Sequence, residues 1–140
     1  MPGAETSIVV HVPAKKIYEV VADFASYPDF HPEVKKVEIH KKGKHLSAGF
    51  EISVIKKIRY TLNFELTPYK KIVWNLVEGD IFKNNHGYWL FEEEGKNKTK
   101  ATYHIEVDFG FMVPSLITNK LVGHNLPAMM KKFKQRAESL

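Results

Sequence analysis

Cysteine is absent from this 140-residue chain. That excludes disulfides, thiol nucleophiles and thiolate metal sites at once. It is compatible with a reducing cytoplasm, the compartment we expect. Long apolar runs are missing too: no stretch approaches the ~20 residues that a membrane span requires. The first residues, Met1-Pro2-Gly3-Ala4-Glu5-Thr6, have neither a basic region nor an apolar core, so they do not read as a signal peptide. Also lacking are the phosphate-binding loop, the dinucleotide fingerprint, the Gly-x-Ser-x-Gly elbow and the zinc-protease helix. Seven histidines are present. None is paired at the i, i+4 spacing of a helical metal site or the i, i+2 spacing of a strand. We expect neither metal nor cofactor.

What is present is an ordinary globular composition, 44% hydrophobic and 26% charged, which predicts a single domain over residues 1–140. The formal charge is +5. The cations come largely as pairs: Lys15-Lys16, Lys35-Lys36, Lys41-Lys42, Lys56-Lys57, Lys70-Lys71 and Lys131-Lys132. Pairs at turns and strand ends read as solvated surface. The sharper reading is weak contact with a ribosome or an anionic membrane surface. No DNA partner is expected.

Hydrophobic periodicity supplies the organisation. Ser7 to Val12 reads as a strand. Pro13 suits a first helical position, and Ile17, Val20, Val21 and Phe24 follow at helical spacing. Ser26 to Phe30 reads as a second short helix or turn, ended by Pro32. From residue 34 to 109 the pattern is strand after strand. Tyr60, Leu62, Phe64 and Leu66 alternate strictly with Arg59, Thr61, Asn63 and Glu65; Ile72, Trp74 and Leu76 continue the alternation. His86 to Glu92 is a strand of ambiguous facing, because Tyr88 and Trp89 compete for the inward position. Ala101, Tyr103, Ile105, Val107 and Phe109 alternate again. Turns fall at Lys41–Lys44, Lys56-Lys57, Pro68–Lys70 and Glu94–Asn97. A closing helix runs from about Pro114 to residue 138, with a change of phase at Gly123–Pro127 that predicts a kink or two consecutive helices. Hairpin-length connections predict an antiparallel sheet.

This order predicts an α+β helix-grip. A curved antiparallel sheet of six or seven strands wraps the C-terminal helix, and two short helices follow the first strand. Such a fold encloses an apolar cavity. Its expected lining is Tyr60, Leu62, Phe64, Trp74, Trp89, Tyr103, Ile105 and Val107 from the sheet, with Leu116, Ile117, Lys120, Leu121 and His124 from the closing helix. Tyr60, Tyr88 and Tyr103 could donate hydrogen bonds to a ligand carbonyl; the plainer alternative is buried tyrosines satisfied by protein groups. Lys120 and His124 fall on the apolar side of the helix and could meet a polar ligand group. The plainer alternative is that Lys120 snorkels and His124 caps the break. Asp23 reads as an exposed or N–H-capping carboxylate, and His31 as a loop histidine without a catalytic role. No residue is assigned to catalysis. The Gly123–Pro127 break and the Tyr27–Pro32 segment are expected to frame the entrance.

Tyr18-Glu19-Val20-Val21-Ala22-Asp23 followed by Tyr27-Pro28-Asp29-Phe30-His31-Pro32 resembles the first-helix signature of START-like polyketide cyclase/dehydrase proteins. The likeness is closest to the branch holding ubiquinone-binding START-like proteins and the ribosome-association toxin relatives. Trp89-Leu90-Phe91, Asp108-Phe109-Gly110-Phe111 and Phe133-Lys134-Gln135-Arg136-Ala137 resemble later landmarks of that branch. Where the ubiquinone-binding members typically carry an aromatic and a cysteine after Pro32, this chain has Glu33-Val34, which weakens the case for ubiquinone. The resemblance implies a helix-grip fold and a cavity for lipids, isoprenoids or polyketides. Three functions follow, in order of preference: a non-enzymatic binder or carrier of a hydrophobic small molecule, a polyketide cyclase or dehydratase, and a ribosome- or protein-contacting module.

Overall fold

The computed structural model describes residues 3–41, 43, 45–54, 56–109 and 125–140. Strand β1 (Gly3–Val10) leads into helix α1 (Ala14–Ala22) and a 3₁₀ helix (Phe24–Asp29). Six strands follow: β2 (Val34–Lys41), β3 (His45–Val54), β4 (Lys56–Thr67), β5 (Lys71–Gly79), β6 (Asn84–Gly95) and β7 (Lys98–Asp108). Helix α2 (Asn125–Ser139) comes last. The seven strands form one sheet in the order β1-β7-β6-β5-β4-β3-β2, with every pair antiparallel. The fold is the expected helix-grip. The first strand lies four residues earlier than expected, because Ser7 to Val10 continue a ladder on β7 that begins at Gly3 opposite Glu106. Lys56 and Lys57 do not form a turn but open β4, pairing with Val54 and Ser53.

Local chemistry explains the elements. Pro13 takes the N-cap of α1, with φ −62°, and Ile17, Tyr18, Val20 and Val21 form its buried face. The turn before β5 places Tyr69 at φ 67°, and that before β7 places Asn97 at φ 57°. Asn tolerates this left-handed region well; a tyrosine there is uncommon. Register shifts interrupt the β2–β3, β4–β5 and β6–β7 ladders. Each inserts an unpaired residue that bends its strand and raises the local twist, which curves the sheet.

The concave face carries the core. Leu62, Phe64, Trp74, Trp89 and Val107 are all buried there. The ambiguity on β6 resolves through pairing: Trp89 points inward against Tyr103, while Tyr88 lies outward, stacked on His104 and donating to Glu5 at 3.1 Å. From α2, Leu126, Met130, Phe133 and Ala137 share one buried face at spacings of four, three and four. Pro127 lies within α2. The remainder of the expected phase change, at Gly123 and His124, lies outside the described residues. Thr99 Oγ1 donates to the Val12 carbonyl at 2.8 Å, tying the entry of α1 to the sheet. Among the described residues, no helix is long and apolar enough to cross a membrane.

Candidate functional site

The curved sheet, the 3₁₀ helix and α2 line a partly open cavity of about 170 Å³. Its wall is chiefly aromatic. Phe24 and Tyr27 come from the 3₁₀ helix, Phe50 and Tyr60 from β3 and β4, Phe64 and Trp74 from β4 and β5, Trp89 and Tyr103 from β6 and β7, and Phe133 from α2. Phe24 stacks on Phe64 at 4.2 Å, and Phe50 on Tyr60 at 5.4 Å. Trp74 tilts over Tyr103 at 5.2 Å. The indole of Trp74 is fixed by donating Nε1–H to Asn85 Oδ1 at 3.0 Å in the interior. With that oxygen engaged, Asn85 has its amide donors left to offer the cavity.

Glycine makes room for this arrangement. Gly87 on β6 lies opposite Trp74 and Ile105. A Cβ there would overlap the His104 carbonyl oxygen and come within 2.7 Å of Trp74 Cζ2. Only a residue without a side chain lets β7 and the indole lie this close.

Polar groups on the wall are few. Tyr27 donates to the Val21 carbonyl, so its hydroxyl serves the protein. Tyr60 and Tyr103 line the cavity. Burial raises both phenols far above the ordinary range, with repulsion from Glu33 adding at Tyr60 and from Tyr60 adding at Tyr103. They stay protonated at any physiological pH and act as donors, not bases. Glu33 and His31 complete the polar part of the wall.

All eight sheet residues expected at the site, Tyr60, Leu62, Phe64, Trp74, Trp89, Tyr103, Ile105 and Val107, line this cavity. Leu116, Ile117, Lys120, Leu121 and His124 lie outside the described residues, as does Gly123 of the expected entrance. The sequence reading missed Phe24, Tyr27, Phe50, Phe82, Asn85, Phe109, Met129 and Phe133, which also line the cavity. Several of these carry an inward signal in hindsight: Phe50 and Phe109 belong to alternating runs, and Phe133 to the apolar face of α2. Asn85 carries none. His31 lies in the loop between the 3₁₀ helix and β2, as expected, but is 1% exposed. Tyr88 does not face the cavity, for the pairing reason given above. Asp23 accepts a hydrogen bond from Ser26 Oγ at 2.7 Å and serves the entry of the 3₁₀ helix.

A second cluster lies on the outer face. His86 Nε2 and His104 Nε2 approach Glu106 Oε2 at 3.1 and 3.4 Å, and His104 Nδ1 approaches Glu5 Oε1 at 3.1 Å. These groups engage one another across β1, β7 and β6. Among the described residues, no group of three or more His, Asp or Glu is placed to hold a metal ion.

Residues 10–134 match the family described as "Polyketide cyclase / dehydrase and lipid transport". The chain belongs to this family. Similar relatives include the "Ribosome association toxin RatA" of Pseudomonas aeruginosa, 27% identical, with 97% of this chain and 95% of that one covered. The Escherichia coli K12 protein of the same name is 27% identical, with 100% and 89% covered. Among solved structures, the Zhui aromatase/cyclase from Streptomyces sp. R1128 superposes with a TM-score of 0.88 at 19% identity, covering 98% of this chain and 93% of that one. A START superfamily protein from Mycobacterium smegmatis gives 0.85 at 20% identity, covering 98% and 97%. At these identities the structural matches establish the fold alone.

Proposed function

We propose that this protein binds a hydrophobic small molecule inside the cavity and carries it rather than transforming it. The observation that carries the reading is the cavity itself: about 170 Å³ of space walled mainly by aromatic side chains. A dry apolar cavity of about 150 Å³ accepts a benzene-sized molecule, so an aromatic or alicyclic ring is the natural occupant. Affinity would come from burial at about 25 cal/mol per Å² of apolar surface, and orientation from the few polar groups on the wall. The buried phenols of Tyr60 and Tyr103 suit hydrogen bonding to an occupant and do not suit proton abstraction. Titration with p-xylene, followed by tryptophan fluorescence, tests the proposal. Trp74 and Trp89 both line the cavity and should report saturable binding. Ile105→Trp, which narrows the cavity, should weaken that response strongly while leaving the fold intact by circular dichroism. Equal binding by wild type and Ile105→Trp would place the probe elsewhere and sink the proposal.

A second reading concerns the outer surface. Lys36, Lys57 and Arg59 gather around Glu51 beside the β2 edge; the Arg59 hydrogen bond first, and then the charges of Lys57, Arg59 and Lys36, hold its carboxyl below the ordinary range. Glu38, Glu78 and Asp80 share that surface, so the reading rests on the +5 net charge and on the name carried by the relatives, which support contact with the ribosome. Co-sedimentation with ribosomal subunits that disappears in Lys36→Glu/Lys57→Glu, with probe binding unchanged, would support it. Sedimentation unaffected by those changes would refute it.

A further inference from the structure

His31 holds two ring nitrogens that the protein leaves unsatisfied. Its side chain is buried, and neither Nδ1 nor Nε2 has a hydrogen-bond partner. Glu33 Oε1 lies 3.5 Å from Nδ1. That is too long for a proper hydrogen bond. The rings of Tyr27, Phe30 and Phe133 close around the imidazole, with centroids 5.6, 4.4 and 4.5 Å away. A phenyl ring would fill this space at no polar cost. Leaving buried polar atoms unpaired is destabilising, and native structures rarely do so without a functional reason.

His31 and Glu33 both lie on the cavity wall. We infer that they form a polar subsite of the cavity, and that the occupant presents a hydroxyl group there. This rests on the proposal that the cavity holds a small molecule. The hydroxyl follows from the inventory of donors and acceptors. Burial first, and nearby Lys132 second, lower the His31 pKa to about 4, so the imidazole is neutral. A neutral imidazole offers one N–H donor and one lone pair; a carboxylate only accepts. A hydroxyl donates to one acceptor and accepts from the imidazole N–H, serving both kinds of partner. A carbonyl would accept from the imidazole but bring its oxygen against the Glu33 carboxylate. An anionic head would meet that charge directly. An ammonium would suit Glu33 and leave the imidazole N–H stranded.

p-Cresol and p-xylene test this at pH 7, because they share one shape and differ in a hydroxyl for a methyl. A purely apolar cavity favours p-xylene, since the phenol must leave water. In the wild type, p-cresol should bind at least as tightly as p-xylene. In His31→Phe, which keeps an aromatic ring in the aromatic cluster, p-xylene should win by tenfold or more. The ¹⁵N shifts of His31 in the wild type should respond to p-cresol and not to p-xylene, a readout that needs no variant. If wild type and His31→Phe both preferred p-xylene to the same degree, the subsite would be overturned and the cavity proposal would stand. If neither compound bound the wild type, the cavity proposal would fall and the subsite with it. Tighter binding of 4-methylbenzylammonium than of p-cresol would overturn the hydroxyl assignment.

Discussion

Gly87→Ala offers the sharpest test of how the cavity wall is built. The added Cβ overlaps the His104 carbonyl oxygen, lies 3.0 Å from that residue's carbonyl carbon and 2.7 Å from Trp74 Cζ2. Carbon atoms prefer about 3.5–4.0 Å, so the indole alone must retreat by roughly 1 Å. It cannot swing freely, because Asn85 holds Nε1 at 3.0 Å and Tyr103 lies 5.2 Å away ring to ring. The β7 backbone cannot yield without loosening its ladder to β6. Overpacking of this kind costs about 1–3 kcal/mol, and each weakened ladder bond adds about 0.5–1.5 kcal/mol. We expect a loss on the order of 3 kcal/mol. For a domain of this size that lowers Tm by about 10 °C. Thermal and urea unfolding followed by circular dichroism would measure it. In a double-mutant cycle, Gly87→Ala should cost less in a Trp74→Leu background than in the wild type, yet still cost something, because the clash with the His104 carbonyl remains. A loss below about 0.5 kcal/mol for Gly87→Ala would show that β6 and β7 are not packed as described.

Three further outcomes follow. His31 carries a folded-state pKa of about 4 against an ordinary 6.5, so the unfolded chain binds the extra proton first; stability present above pH 6.5 should fall between pH 6.5 and 4 by an amount on the order of 3 kcal/mol, and urea melts of His31→Phe should lack that slope. Glu106 has its pKa lowered by hydrogen bonds from His104 and then His86, so its contribution is present above the unfolded carboxyl value and lost as pH falls through the folded one; Glu106→Gln should make the acid limb of the stability curve shallower without changing the plateau of neutral-pH probe affinity. Tyr103→Phe should change stability by less than about 1 kcal/mol in melts, because no described protein group accepts from that hydroxyl, and should weaken binding of a ketone-bearing ring more than of p-xylene.

The sheet was legible because one of its faces is buried. Strict alternation in 59–66 and 101–109 assigned Leu62, Phe64, Ile105 and Val107 to the inside, since a strand has only two faces. Alternation failed at Tyr88-Trp89, where both residues are large and aromatic. The pairing of β6 with β7 decided it, putting Trp89 beside Tyr103 and Tyr88 beside His104 and Glu5. Of the polar lining, Tyr60 and Tyr103 were legible from the alternation, and Asn85 and His31 were not. Asn85 matters because Trp74, eleven residues before it, reaches its oxygen. His31 matters because Phe133, from the far end of the chain, closes over it. Periodicity is local, and these contacts are made by chain crossings that no local pattern records. Gly87 belongs with them: its meaning lies in the His104 carbonyl and the Trp74 ring, both on neighbouring strands.

Native mass spectrometry of the protein purified from its own host, followed by organic extraction of the same sample, tests the central claim most directly. The account predicts about one equivalent of a ring-bearing, hydroxylated hydrophobic molecule per chain. The same molecule should be depleted in Ile105→Trp, whose cavity is narrowed. An adduct retained in full by Ile105→Trp would contradict the account, as would a wild-type protein that carries nothing and takes up no apolar ring compound when offered one.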